Sequence, residues 1–172
     1  MKNKIVIAAA LVALATKAGA YTLTPENVLH DMEQRPPKAV VADLNKSGRY
    51  ERILDFIGKG KEEWIKVVPV FENAVDAYAA ETLTISLAEG LPANPKAILS
   101  VVRSGVGSDT SVLNIADVCG APFIEPSKKM LAAYFSRTIK AVSEVNAPEL
   151  QDKKNVCLKL LQAAKAMPYT PN

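Results

Sequence analysis

Apolar residues recur at helical spacing along most of the chain. The clearest example is the segment 49–57, where four apolar or aromatic side chains stand at i, i+3, i+4 and i+7 and share one helix face. These are Tyr50, Ile53, Leu54 and Ile57. Alternation typical of half-buried strands is confined to short runs. The pattern predicts an all-α fold of about seven to eight helices.

Capping residues and prolines mark where several of these helices begin. Thr24 is followed by Pro25, an order typical of an N-cap and the first helical position. Two predicted helices, at 37–41 and 95–99, start with a similar five-residue sequence. Each has a proline, a lysine, an alanine and two aliphatic residues. This echo leaves two architectures open, a compact bundle and a short solenoid-like stack of helix pairs.

The segment 74–91 is apolar or small around nearly its whole circumference. A helix with this composition is buried on most of its surface, so we expect 74–91 to be the central helix of the domain. Asn73 is the predicted N-cap. Asp76 and Glu81 fall inside the helix, and a buried acid needs a polar partner. They are therefore candidate members of buried polar pairs.

The first twenty residues have the pattern of a bacterial secretory signal peptide. Two lysines precede an unbroken apolar run over 5–15, and small residues follow at 18–20. The run is too short for a transmembrane helix. We expect cleavage after Ala20, which leaves residues 21–172 as one helical domain in the periplasm or outside the cell, with no stable membrane insertion.

Removal of this leader changes the charge of the protein. The full chain has 21 Lys and Arg residues against 18 Asp and Glu residues, and its net charge is +3. Three of the lysines, Lys2, Lys4 and Lys17, lie in the leader. The processed chain is then neutral, which argues against a nucleic-acid partner, since phosphate binding requires an excess of cations.

Cys119 and Cys157 are the two cysteines of the chain. In an oxidising compartment they most simply form a disulfide, and the alternatives are two free thiols or a catalytic or metal-binding role. A catalytic thiol requires a histidine partner, and the single histidine, His30, lies far away in the sequence. A zinc site requires four ligands at short spacings. We therefore expect one disulfide, no metal and no cofactor.

A glycine- and serine-rich stretch after residue 102 is the clearest loop of the sequence. Its glycine spacing departs from that of phosphate-binding loops. Exposed loops often carry function, so this stretch is the candidate partner-contact element. It consists of Arg103, Ser104, Gly105, Val106, Gly107, Ser108 and Asp109.

The sequence contains no arrangement of nucleophile, base and orienting residue. The favoured function is therefore that of a non-enzymatic protein-binding protein, such as an inhibitor, an immunity protein or a secretion or assembly accessory. Two alternatives remain. One is a carrier of a small molecule or lipid with an apolar cavity beside the central helix. The other is a small hydrolase that uses Asp76 or Glu81.

Overall fold

The computed structural model of the chain describes residues 21–104 and 113–167, and these residues are helical apart from their connections and one isolated bridge. The all-α prediction is confirmed. The leader 1–20 and positions 105–112 lie outside the described residues. The helices are α1 Pro25–Gln34, α2 Pro37–Lys46, α3 Arg49–Gly58, α4 Glu62–Ile65, α5 Val68–Phe71, α6 Ala77–Gly90, α7 Pro95–Val101, α8 Ile115–Cys119, α9 Lys128–Ser143 and α10 Gln151–Ala166.

Side-chain caps begin several helices. The Thr24 hydroxyl accepts a hydrogen bond from the Asn27 amide at 3.2 Å, as predicted for the start of α1. Asn94 caps α7 in the same way ahead of Pro95, and Ser127 caps α9. These side chains satisfy amide groups that have no partner within the helix.

The apolar stretch before α6 forms two single-turn helices, α4 and α5. Pro69 lies in the first turn of α5, where its missing N–H costs no helical hydrogen bond. Trp64 on α4 is buried and stacks on Phe56 with ring centroids 5.3 Å apart. Phe71 on α5 is fully buried.

The central helix is shorter than predicted. α6 spans Ala77–Gly90 instead of 74–91, and its N-cap is Asp76 instead of Asn73. The amides of Ala74 and Val75 instead donate to the Phe71 carbonyl and complete the turn that follows α5. The prediction that α6 is largely buried is correct, with Leu83 and Leu87 among its fully buried side chains.

Two buried tyrosines join α6 to the helices packed against it through hydrogen bonds. The Tyr50 hydroxyl on α3 donates to the Ala79 carbonyl at 3.0 Å, and the Tyr134 hydroxyl on α9 donates to the Ala88 carbonyl at 3.2 Å. Burial raises the pKa of both phenols. α3 and α6 approach closely at Gly90, where a Cβ atom would lie 2.5 Å from the carbonyl oxygen of Ile57.

The last two helices form a hairpin that contributes buried side chains to the same core. α9 ends at Ser143, a 3₁₀ turn follows at Pro148–Leu150, and α10 runs over Gln151–Ala166. The link is short and the two helices pack together, so they run antiparallel. The end of α10 therefore lies at the same end of the hairpin as the start of α9.

Candidate functional site

Arg103, the first residue of the predicted contact segment, is fixed through both its side chain and its backbone. Its guanidinium donates to the Glu72 carboxylate at 2.5 Å. Its amide donates to the Leu113 carbonyl at 2.7 Å, and its carbonyl accepts from the Ile115 amide at 3.0 Å. These bonds hold the two stems of the segment side by side. The first stem is Arg103, and the second is Leu113 to Ile115. Ser104 is exposed, and positions 105–109 lie outside the described residues.

The ion pair joins groups of unequal exposure. The Glu72 side chain is 9% exposed, whereas the Arg103 side chain is 58% exposed. Sequence reasoning identified Arg103 but overlooked Glu72 as its partner. No local signal marks Glu72, because its burial arises from the packing of the turn after α5 against the start of the loop.

The α8 helix, which follows the second stem, is joined to α10 by the predicted disulfide. Cys119 and Cys157 form a bond of 2.04 Å, with their Cα atoms 5.3 Å apart. Both residues are fully buried, and no free cysteine remains. Asn114 caps α8 through a 2.9 Å bond from the Ala116 amide. The segment is thus followed directly by a helix anchored in the core.

The expectation that Asp76 and Glu81 are buried is wrong, because both residues are exposed. The Asp76 carboxylate accepts a hydrogen bond from the Ala79 amide at 2.9 Å and serves as the N-cap of α6. The later start of the helix explains the error, since it places Asp76 at the helix end. Glu81 lies on the solvent side of α6.

Tyr78 is the most exposed large apolar or aromatic side chain among the described residues. Its side chain is 75% exposed on the first turn of α6, and the next residue, Ala79, makes the buried contact with Tyr50. The Asp76 cap and the bond from Thr82 to the Tyr78 carbonyl hold this turn in place. An exposed aromatic ring therefore stands on a rigid part of the backbone.

Several clefts of the described surface lie away from the central helix. A cleft of about 500 Å³ lies between α1, α2 and the start of α3, and charged residues such as Arg35 and Asp43 contribute to its lining. Another, of about 430 Å³, lies between α1 and α4. A third, of about 410 Å³, lies between the start of α7 and the end of α9. Side chains of α6 line none of these three.

In the described ranges, 21–104 and 113–167, no group of three or more His, Cys, Asp or Glu side chains is placed to hold a metal ion. No helix of these ranges has the length and apolar character needed to cross a membrane. Comparisons with protein-family models, with curated proteins and with solved structures found no match to this chain.

Proposed function

We propose that this chain is a non-enzymatic protein-binding protein that acts in the periplasm or outside the cell. The observation that carries the proposal is Tyr78, a ring 75% exposed on a capped helix. Aromatic side chains dominate the binding energy of many protein interfaces because they bury a large area with few rotatable bonds. A solvated tyrosine on rigid backbone is suited to that role.

The stem of the contact segment supports the same function. Arg103 is fixed by Glu72 on one side and by the backbone of Leu113 and Ile115 on the other. A segment with fixed stems loses less conformational entropy when it binds than one with free stems. Glu72 and Tyr78 are six residues apart, so one short segment of chain both holds Arg103 and presents the aromatic ring.

The disulfide agrees with the proposed compartment, since such bonds persist in oxidising surroundings. The hydrolase alternative relied on buried acids, and the Asp76 carboxylate instead caps α6 while Glu81 is solvated. The carrier alternative relied on an apolar cavity beside α6, and the three clefts described above lie elsewhere. Neither alternative has a supporting observation comparable to Tyr78.

The test is an affinity capture with matched variants. The exported, disulfide-bonded chain is immobilised and exposed to periplasmic and secreted proteins of the source bacterium, and retained proteins are identified by mass spectrometry. Tyr78→Ser is compared with Ile124→Ser, which alters an apolar side chain of similar exposure, 69%, elsewhere on the surface. We expect a stoichiometric partner that the wild type and Ile124→Ser retain.

Tyr78→Ser should bind that partner at least about 30-fold more weakly, the effect of losing an interface hot spot. Isothermal titration with the purified partner gives the ratio. A partner that binds Tyr78→Ser as tightly as the wild type would contradict the assignment of the surface. Absence of any stoichiometric partner would overturn the function itself.

A further inference from the structure

The near-neutral charge of residues 21–172 hides a strong separation of charge along the chain. Between 128 and 167, the α9–α10 hairpin has eight Lys and Arg residues and three Asp and Glu residues. The rest of the processed chain has ten cations and fifteen acids. Such asymmetry between parts of a chain indicates a partner of opposite charge for the basic part.

The charges within the hairpin are separated as well. Its three acids, Glu144, Glu149 and Asp152, lie in or beside the link between the helices. α9 itself contains no acid. Its four cations are all exposed: Lys128, Lys129, Arg137 and Lys140. Among the residues that the structure describes, the ion pairs fall between 35 and 103, and no hairpin cation takes part in one.

The open end of the hairpin combines these cations with exposed aliphatic side chains. Ile124, just before α9, is 69% exposed, and Met167, just after α10, is also 69% exposed. Met130, in the first turn of α9, is 39% exposed. Because the helices are antiparallel, the residues before α9 and after α10 lie at the same end. We call Ile124, Met130 and Met167 the aliphatic tip.

The backbone around Ile124 is held in an unusual conformation. Ala121 and Glu125 have φ angles of 59° and 47°, the only positive values of non-glycine residues among those described. Between them, Phe123 packs edge-on against buried Tyr134 with ring centroids 4.7 Å apart. Left-handed residues of this kind persist where surrounding contacts fix them. The inward Phe123 thus holds Ile124 outward.

Lysines occupy the helix turns next to the aliphatic tip. Lys128 and Lys129 begin α9, and Lys165 is in the last turn of α10. Glu125 is the acid nearest to them in the sequence, so the tip region keeps an excess of positive charge. Long lysine side chains can extend their ammonium groups toward phosphates while aliphatic neighbours enter an apolar layer.

We propose that the aliphatic tip and the basic face of α9 dock on the surface of a membrane rich in anionic phospholipid. The composition favours lipid over an acidic protein. Seven of the eight hairpin cations are lysines, and lysine is depleted at protein interfaces whereas arginine and aromatic residues are enriched there. The tip side chains are aliphatic. This contact is peripheral, and the residues proposed for it do not include Tyr78.

The test uses vesicles and the exported, disulfide-bonded chain. Cosedimentation is measured with vesicles of phosphatidylethanolamine and phosphatidylglycerol, and with vesicles of phosphatidylcholine alone. We expect binding to the first and not the second, with loss at high salt. In Lys128→Gln/Lys129→Gln, each missing charge should weaken partitioning about fivefold, or about 25-fold for the pair. Ile124→Ser should weaken it further.

The matched control is Lys38→Gln/Lys61→Gln, which removes the same charge from exposed lysines of the acidic part. Tyr78→Ser is the control for loss of an exposed apolar group. Both controls should bind vesicles like the wild type. Equal losses in the control and hairpin lysine pairs would overturn the proposal, as would failure to bind phosphatidylglycerol. Lysine-dependent binding to a captured acidic protein without vesicle binding would assign the hairpin to a protein partner.

Discussion

The Arg103 guanidinium lies 2.5 Å from the Glu72 carboxylate and joins the start of the contact segment to the turn after α5. The carboxylate is nearly buried and the guanidinium is more than half exposed. Water screens the exposed guanidinium. The contribution of this pair to stability is therefore that of a surface ion pair, near the upper end of the range measured for such pairs.

Arg103→Met should lower the free energy of unfolding by about 1 kcal/mol, because it removes the cation that faces the Glu72 carboxylate. Urea denaturation measures the change. Arg52→Met, at an exposed arginine of α3, is the control and should stay within about 0.5 kcal/mol of the wild type. A double-mutant cycle with Glu72→Gln isolates the pair. Additive losses in the cycle would mean that the two groups do not interact in solution.

Loss of the disulfide should be the largest single change in stability. The bond closes a loop with a sequence separation of 38, which on the chain-entropy model contributes about 3–4 kcal/mol. Cys119→Ala/Cys157→Ala should lower the free energy of unfolding by about that amount, as measured by urea denaturation. Reductant should destabilise the wild type and leave the double variant unchanged. A wild type insensitive to reductant in unfolding would show that the bond is not formed.

Substitutions at Asp76 and Glu81 distinguish the capping role of Asp76 from the hypothesis that both acids are buried. Asp76→Ala should lower the free energy of unfolding by about 1 kcal/mol, since the Ala79 amide loses its acceptor. Glu81→Ala should change it by less than about 0.5 kcal/mol, as expected for an exposed position. Thermal and urea unfolding of both variants provide the comparison. A greater loss at Glu81 than at Asp76 would contradict the capping assignment.

The buried tyrosines make stability fall at alkaline pH. Burial raises the pKa of Tyr50 and Tyr134, so above the unfolded-state pKa of about 10 the unfolded chain loses protons that the folded chain keeps. Their contribution to stability is complete below about pH 10 and declines as the pH rises toward the folded-state values.

Urea denaturation at a series of alkaline pH values should therefore give a falling free energy of unfolding. Tyr50→Phe and Tyr134→Phe should each make the decline shallower, although each also loses a hydrogen bond worth about 1 kcal/mol. Tyr78→Phe, at an exposed ring, should keep the wild-type slope. Slopes that are equal in all four proteins would contradict this account.

The sequence predicted the features that depend on local chemistry. Thr24 and Pro25 mark the start of α1 because a hydroxyl acceptor and a residue without an amide hydrogen suit those positions in any helix. The disulfide followed from two cysteines and an inferred oxidising compartment. The basic hairpin could have been found from the sequence too, but a net charge averaged over residues 21–172 concealed it.

The sequence by itself determined the helical class and the start of α7 at Pro95, because short-range sterics and helix caps decide these. It also determined the cysteine pairing, because the sequence lacks the partner residues that a catalytic or metal-binding cysteine requires. Only the tertiary structure decided that Asp76 caps α6, that Glu72 faces Arg103, and that Tyr78 and Ile124 remain exposed. Periodicity gives the face on which a side chain lies, whereas its exposure depends on which distant element covers that face. Such coverage arises from the packing of the whole chain.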